Sequence, residues 1–385
     1  MKLLFFSDPT KFSSLDTAPN SQRLDLPMKP NIKDWSFKEL SAFLSERKQP
    51  SFRAKQIRQW LFHKGVTKFS EMSNLSRSLR DELEASFTIS RLAILRRAES
   101  HDGTVKFLFG LADGASIESV LIPEVRRLTL CVSTQAGCGF GCAFCATGVL
   151  GLTRNLTASE IVDQVLEASR SMEQGRRITH VVLMGMGEPL ANYAQTLRAL
   201  EIITDEECGI GISPRRVTLS TVGLVPQIEK LMNETRVNLA ISLHAPNDEL
   251  RGALMPVNRK YSLAQLIECC RKLPIPRRNR ITFEYVLLGG VNDSEQHARQ
   301  LAKVLRGIPS KVNVIPFNPH PGSRFSRPGP EQIERFQKIL RDAGVQINLR
   351  RPRGDDIQAA CGQLQGEEEG RRRRRKGTRT AVEAL

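Results

Sequence analysis

No segment of the 385-residue chain approaches the roughly 18 to 20 uninterrupted apolar residues that a membrane span requires. The apolar run at the start, Leu3-Leu4-Phe5-Phe6, stops after four residues, short of the ~7–15 of a secretory signal. A cytoplasmic protein that engages no membrane is therefore expected. Acidic side chains are the scarcer charge, 41 against 57 Lys and Arg, which leaves +16 and a pI near 9.8. Residues 366–385 hold seven basic and four acidic side chains, so +13 remains outside that basic tail, which is expected to be disordered. Such a surplus favours polyanionic partners, nucleic acid first, without naming a chemistry. With 40% hydrophobic and 25% charged residues, the rest of the chain can bury a sizeable core.

Residues 1–30 lack periodicity and read as a loose extension. From 31 to 90 the pattern is helical: Leu40, Phe43 and Leu44 share one face, and Ile57, Trp60 and Leu61 another. This segment reads as a small helical module whose Arg47, Lys48, Arg53, Lys55 and Arg58 suit RNA. Residues 91–127 read as a β-extension, with Asp102-Gly103 and Asp113-Gly114 as hairpin turns. From 128 to 365 strands and helices alternate. Strands are predicted at 128–132, 180–184, 217–219, 239–243, 281–288 and 312–317, with helices near 158–172, 193–204, 225–232, 262–273, 294–306 and 331–343. Six βα units imply an α/β fold with a parallel sheet. A barrel, partial or complete, and a doubly wound sheet both fit, and either puts its site at the C-terminal strand ends.

Eight cysteines in such a chain do not suggest a disulfide framework, but Cys131, Cys138, Cys142 and Cys145 crowd into fifteen residues. Cys138, Cys142 and Cys145 are spaced C-x3-C-x2-C on a Gly-rich loop after the first strand of the βα series. That spacing lets three thiolates converge on one metal centre. No histidine stands near to close a four-ligand zinc site, although Cys131 could. A cubane iron–sulfur cluster has four iron corners, so three thiolates would leave one iron open, a catalytic arrangement. Simple packing of three buried cysteines is the remaining alternative.

The C-x3-C-x2-C spacing with Phe144 before the last cysteine resembles the signature of radical S-adenosylmethionine enzymes. The resemblance implies a partial (β/α)6 barrel, a 4Fe-4S cluster on Cys138, Cys142 and Cys145, and S-adenosylmethionine bound at the open iron. Gly185-Met186-Gly187-Glu188-Pro189 resembles the family's glycine-rich motif, in which Gly187 and Glu188 receive the cofactor's amino group. Ser220, then Ser242, Leu243 and His244, then Asn318 stand at successive strand ends, as cofactor contacts would. Residues 33–365 are similar to the RlmN/Cfr group of radical RNA methyltransferases, most diagnostically at Arg353-Gly354-Asp355-Asp356-Ile357-Gln358-Ala359-Ala360-Cys361-Gly362.

That resemblance implies that Cys361 becomes methylated and then carries the carbon to adenine. Cys131 would release the product, leaving a Cys131–Cys361 disulfide, and Glu118 would accept the proton. The implied substrates are 23S rRNA, at a peptidyl-transferase adenosine, and tRNA, at the adenosine 3′ of the anticodon, both at C2. A monomer served by an electron donor such as flavodoxin or ferredoxin is expected. Arg126-Arg127, Arg176-Arg177, Arg215-Arg216, Arg277-Arg278 with Arg280, and Arg350-Arg351 with Arg353 are candidate phosphate contacts. Arg371–Arg375 could add nonspecific affinity. The rivals are the same chemistry at adenine C8, a zinc-containing RNA-binding protein without catalysis, and a radical enzyme with another substrate.

Overall fold

Short capped helices come first in the computed structural model, which describes residues 29–364 apart from 174, 277 and 278. The N-terminal extension before residue 29, Arg277, Arg278 and the Arg371–Arg375 run lie outside the described residues. Ser36 and Glu39 form a capping box on α1 (Phe37–Glu46), satisfying amides that the first helical turn leaves unbonded. Next is α2 (Phe52–Arg58), which runs into a single π turn, and Ser76 caps α3 (Arg77–Ser86). Their apolar stripes bury Leu40, Leu44, Ile57, Leu61, Leu79 and Leu83 against one another.

An antiparallel meander follows: β1 (Ala93–Glu99), β2 (Val105–Gly110) and β3 (Ser116–Glu124), with turns at the two Asp-Gly pairs. The meander is not separate from the barrel. β3 pairs with β4 (Arg127–Cys131), so one ten-stranded sheet runs through both. A small hairpin of β5 (Gln135–Cys138) and β6 (Gly151–Asn155) encloses α4 (Ala146–Leu150), and α5 (Ala158–Arg170) leads back to the sheet.

The alternation continues with β7 (His180–Leu183), α6 (Tyr193–Thr204), β8 (Val217–Thr221), α7 (Val225–Glu234), β9 (Asn238–Ser242), α8 (Asp248–Leu254) and α9 (Leu263–Lys272). It ends with β10 (Ile281–Leu287), α10 (Glu295–Val304), β11 (Ser310–Pro316), α11 (Pro330–Asp342) and β12 (Ile347–Leu349). Strand order β4-β7-β8-β9-β10-β11-β12 places each parallel strand beside its successor. A doubly wound sheet reverses direction at a switch point. This one does not, and its ends β1 and β12 do not pair, so it is a partial barrel. The six predicted strands are present, and β12 adds a seventh, only three residues long. Every residue of β10 is buried, as expected of a central strand covered on both faces.

The helical module is anchored to the barrel by a buried ion pair. Lys33 Nζ lies 2.6 Å from Asp163 on α5, and Ser90 donates to the same carboxylate at 3.1 Å.

Candidate active site

The cysteine loop leaves the C-terminal end of β4, where chain ends converge on the mouth of the barrel. Cys131 ends β4, Cys138 ends β5, Cys142 lies in the following turn, and Cys145 precedes α4. The turn is tightened by Cys145 N–H donating to the Cys142 carbonyl at 3.1 Å, and Ala143 N–H donates to Leu254 of α8 at 2.9 Å. The C-terminal segment closes over the loop. Ala146 N–H donates to the Gly362 carbonyl at 2.8 Å, and Thr147 Oγ1 to that of Leu364 at 2.6 Å. Cys361 is thereby held beside the loop although it lies 216 positions beyond Cys145.

Two recesses meet at Cys361. A cavity of about 150 Å³ is lined by Cys145, Gly187, Glu188, Ser220, Ser242, His244, Asn318 and Cys361, together with Phe144, Glu284 and Arg350. A groove of about 680 Å³ occupies the rest of the concave face and shares Met184, Glu284, Ile315, Asn318, Arg350 and Cys361 with it. Cys361 is exposed and borders both recesses. Most of the predicted cofactor positions therefore come together. Leu243 does not line the cavity: it is fully buried, and only its backbone is engaged, N–H to Glu284 O at 3.0 Å and carbonyl to Arg251 Nε at 3.2 Å.

The glycine-rich turn fits its place closely. A Cβ on Gly187, whose φ is +100°, would stand 2.5 Å from Gln135 Cβ, and one on Gly185 would stand 2.6 Å from Ser133 Oγ. Glycine alone fits both positions. Glu188 is buried, accepts from Leu190 N–H at 3.0 Å and Val222 N–H at 2.8 Å, and has its carboxyl pushed up to about 7 by burial. A carboxylate so placed calls for a cation such as an ammonium group. His244 has a left-handed backbone, packs edge-on against Phe144 at 4.7 Å, and accepts from Val286 N–H at Nδ1, 3.0 Å. Burial, and then Arg251, push its pKa down to about 3, so the ring is neutral. With Nδ1 accepting, Nε2 carries the proton.

The thiols are also perturbed. Burial pushes Cys138 up to about 11, and it raises Cys142 well above its ordinary value with Cys145 and Cys138 adding to the effect. Three such thiols become thiolates when a cationic centre compensates them. No three described His, Cys, Asp or Glu side chains converge as one ion would require. A cubane instead takes one thiolate at each separate iron. The donor set thus fits an iron–sulfur cluster, with Glu188 in position for an ammonium.

Cys131 is buried beside Cys361. Burial, and then the charge of Cys361, push its thiol up to about 12. Glu118 is buried on β3, two residues from Val120, which pairs with Cys131, so both side chains stand on the same face of the sheet. Lys106 Nζ lies 3.1 Å from Glu118 and donates to the Gln358 carbonyl at 3.3 Å. Neither Glu118 nor Cys131 lines the two recesses.

Sequence reasoning missed several residues. Arg251, 1% exposed, donates to the carbonyls of Leu243, Val222 and Ser242 and to Asn258, tying the ends of β8 and β9 together. Asn292, fully buried, donates to His244 O at 2.8 Å and Val286 O at 2.7 Å and accepts from Leu288 N–H. Arg327 donates to Asn318 Oδ1 at 2.7 Å and fixes that amide. Of the candidate phosphate contacts, Arg127, Arg216, Arg350, Arg351 and Arg353 line the groove with Lys311, whereas Arg126, Arg176, Arg177, Arg215 and Arg280 do not.

A partial barrel with three loop cysteines and a polar cavity at its strand ends defines a radical S-adenosylmethionine enzyme. The radical SAM superfamily profile matches residues 132–302, and that of the ribosomal RNA large subunit methyltransferase N-terminal domain matches residues 30–89. The dual-specificity RNA methyltransferase RlmN of Syntrophobacter fumaroxidans is 51% identical over 87% of this chain and 98% of its own. That of Geobacter sulfurreducens is 49% identical over 87% and 92%. A crystal structure of a radical SAM methyltransferase from Sphaerobacter thermophilus superposes with a TM-score of 0.82 at 46% identity, covering 88% of this chain and 99% of the other. The chain belongs to the RlmN family.

Proposed function

We propose that this enzyme methylates C2 of adenine in 23S rRNA and in tRNA, using Cys361 as the carbon carrier. One observation carries the reading: Cys361 is tied to the cysteine loop and opens both to the cofactor cavity and to a groove lined by Arg127, Arg216, Lys311, Arg350, Arg351 and Arg353. A carbon held on that sulfur can face the cofactor first and an RNA base afterwards. The relatives' names, dual-specificity RNA methyltransferases, support both substrates.

In this reading Cys138, Cys142 and Cys145 would hold a 4Fe-4S cluster, and Gly187, Glu188, Ser220, Ser242, His244 and Asn318 would bind S-adenosylmethionine, with Leu243 holding the turn between Ser242 and His244 from the core. Together these groups supply the methyl carbon and the radical chemistry that an unactivated ring carbon requires. The protein's own residues do the rest. Glu188 orients the cofactor's ammonium, and neutral His244 offers an Nε2 donor. Cys361 Sγ bears the one-carbon unit as it joins the base, and Glu118 takes the ring proton. Cys131 Sγ, once deprotonated, then attacks Cys361 Sγ: the S–S bond forms, the carbon–sulfur bond breaks with its electron pair going to the carbon on the base, and that carbon takes up a proton to become the methyl group.

Residues 31–90 serve as an RNA-holding module, residues 91–127 as the β-extension and residues 128–365 as the catalytic barrel. The enzyme works as a monomer with a flavodoxin- or ferredoxin-type electron donor, and a cytoplasmic location follows from its substrates. Among the described residues no helix is long and apolar enough to cross a membrane. The test is anaerobic reaction of reconstituted enzyme with an rRNA fragment and with tRNA, followed by mass spectrometry of the nucleosides. The reading requires 2-methyladenosine from both; 8-methyladenosine, or no methylated adenosine, refutes it.

A further inference from the structure

A polar row crosses the concave face outside the cysteine chemistry. Ser242, Glu284, Asn313 and Asn348 are register partners on four adjacent parallel strands, β9 to β12, so their side chains stand at one level of the barrel. Asn348 Nδ2 donates to Asn313 Oδ1 at 3.2 Å, and Asn313 Nδ2 donates to Glu284 Oε1 at 2.8 Å. The second carboxylate oxygen, Glu284 Oε2, has no hydrogen-bond partner among the described residues, although Glu284 is only 5% exposed. Glu284 borders both recesses, so that oxygen is open to a hydrogen-bond donor on a ligand.

The surroundings indicate which donor. Glu284, Arg350 and Cys361 all border both the cofactor cavity and the groove. Against the pull of burial, the charge of Cys361 and then that of Glu284 hold the Arg350 guanidinium up, so the three groups sit within electrostatic reach of one another. On adenine's Watson–Crick edge, C2, N1 and the exocyclic N6 amino group follow in order. A base whose C2 faces Cys361 can present N1, an acceptor, to Arg350 and N6, a donor, to Glu284. Guanine would put its O6 acceptor against the same carboxylate.

We propose that Glu284 accepts a hydrogen bond from the N6 amino group of the target base and is the residue by which this enzyme selects adenine over guanine. The assignment rests on the adenine-methylation reading above. It makes Glu284 a specificity-determining residue, supported laterally by Asn313 and Asn348, with Arg350 as the donor to N1.

The test compares wild-type enzyme with Glu284→Ala and Glu284→Gln, using anticodon stem-loops with adenosine, purine riboside or inosine at the target position. Methylation of Cys361 without RNA, read by peptide mass spectrometry, reports on folding and cofactor binding, and fluorescence anisotropy reports RNA affinity. Both variants are expected to methylate Cys361 as wild type does. In wild type, removing the amino group (purine riboside) should weaken binding and carbon transfer roughly 5- to 150-fold, the span of one lost base contact. In Glu284→Ala that substitution should cost about nothing, and Glu284→Gln, which can also donate, should accept inosine better than wild type does. Undiminished sensitivity to the amino group in Glu284→Ala overturns the proposal. So does loss of Cys361 methylation in a folded variant, which would assign Glu284 to the cofactor. A wild-type enzyme that modifies no adenine instead brings down the underlying reading.

Discussion

Ala146 donates its backbone N–H to the carbonyl of Gly362 at 2.8 Å, joining the helix that follows Cys145 to the residue that follows Cys361. One backbone bond thus couples the cysteine loop to the segment bearing Cys361, and Thr147 Oγ1 to Leu364 O at 2.6 Å repeats the link. The C-terminal segment is consequently part of the site and not an appendage.

Cysteine substitutions should separate into two groups. Changing Cys138, Cys142 or Cys145 to alanine is expected to abolish bound iron and sulfide after reconstitution, measured by elemental analysis. Cys131→Ala and Cys361→Ala should keep their iron. Cys131→Ala should in addition trap RNA on the protein, seen as a slower band on a denaturing gel, whereas Cys361→Ala should form no such band.

The three cysteines were legible because their spacing is set by the chemistry of one group, and the strand-end residues because hydrophobic alternation fixes where strands stop. Leu243 shows the limit of that reasoning: the motif marks a position where backbone matters, and the side chain turns into the core. Arg251 and Asn292 were not legible, because each serves carbonyls brought together only by folding. For Arg251 a signal existed in Asn247 followed by Asp248 and Glu249, a helix start that would have located α8. Three residues of β12 were too few to show a period.

Asn292 buckles β10 to the His244 turn with three side-chain bonds. Asn292→Ala leaves two buried carbonyls and an amide unpaired. It should destabilise the protein by about 3 kcal/mol or more, at roughly 1–3 kcal/mol for each of the three stranded groups. Chemical denaturation measures the loss, and weakened S-adenosylmethionine binding should accompany it.

His244 makes stability depend on pH. Its pKa is pushed down to about 3 from an ordinary 6.5, so below pH 6.5 the unfolded chain binds a proton that the folded chain refuses. The stabilising effect of its burial is complete above pH 6.5 and is lost progressively as pH falls toward 3. Between pH 7 and pH 5 this amounts to about 2 kcal/mol. His244→Gln should show a correspondingly smaller loss of stability over that interval in denaturant titrations.

The Lys33–Asp163 pair is buried on both sides. Lys33→Ala should cost about 3–5 kcal/mol because it strands the Asp163 carboxylate, whereas Lys33→Met with Asp163→Leu should cost much less. Thermal unfolding of the two variants checks the order.

The central claim is that the carbon delivered to RNA passes through Cys361. Enzyme is incubated with S-adenosylmethionine carrying an isotopically labelled methyl group, freed of it, and then given unlabelled cofactor, reductant and RNA for a single turnover. Mass spectrometry should find the label first on the Cys361 peptide and then in 2-methyladenosine. Label that stays on Cys361 while unlabelled carbon appears in the product would contradict the account.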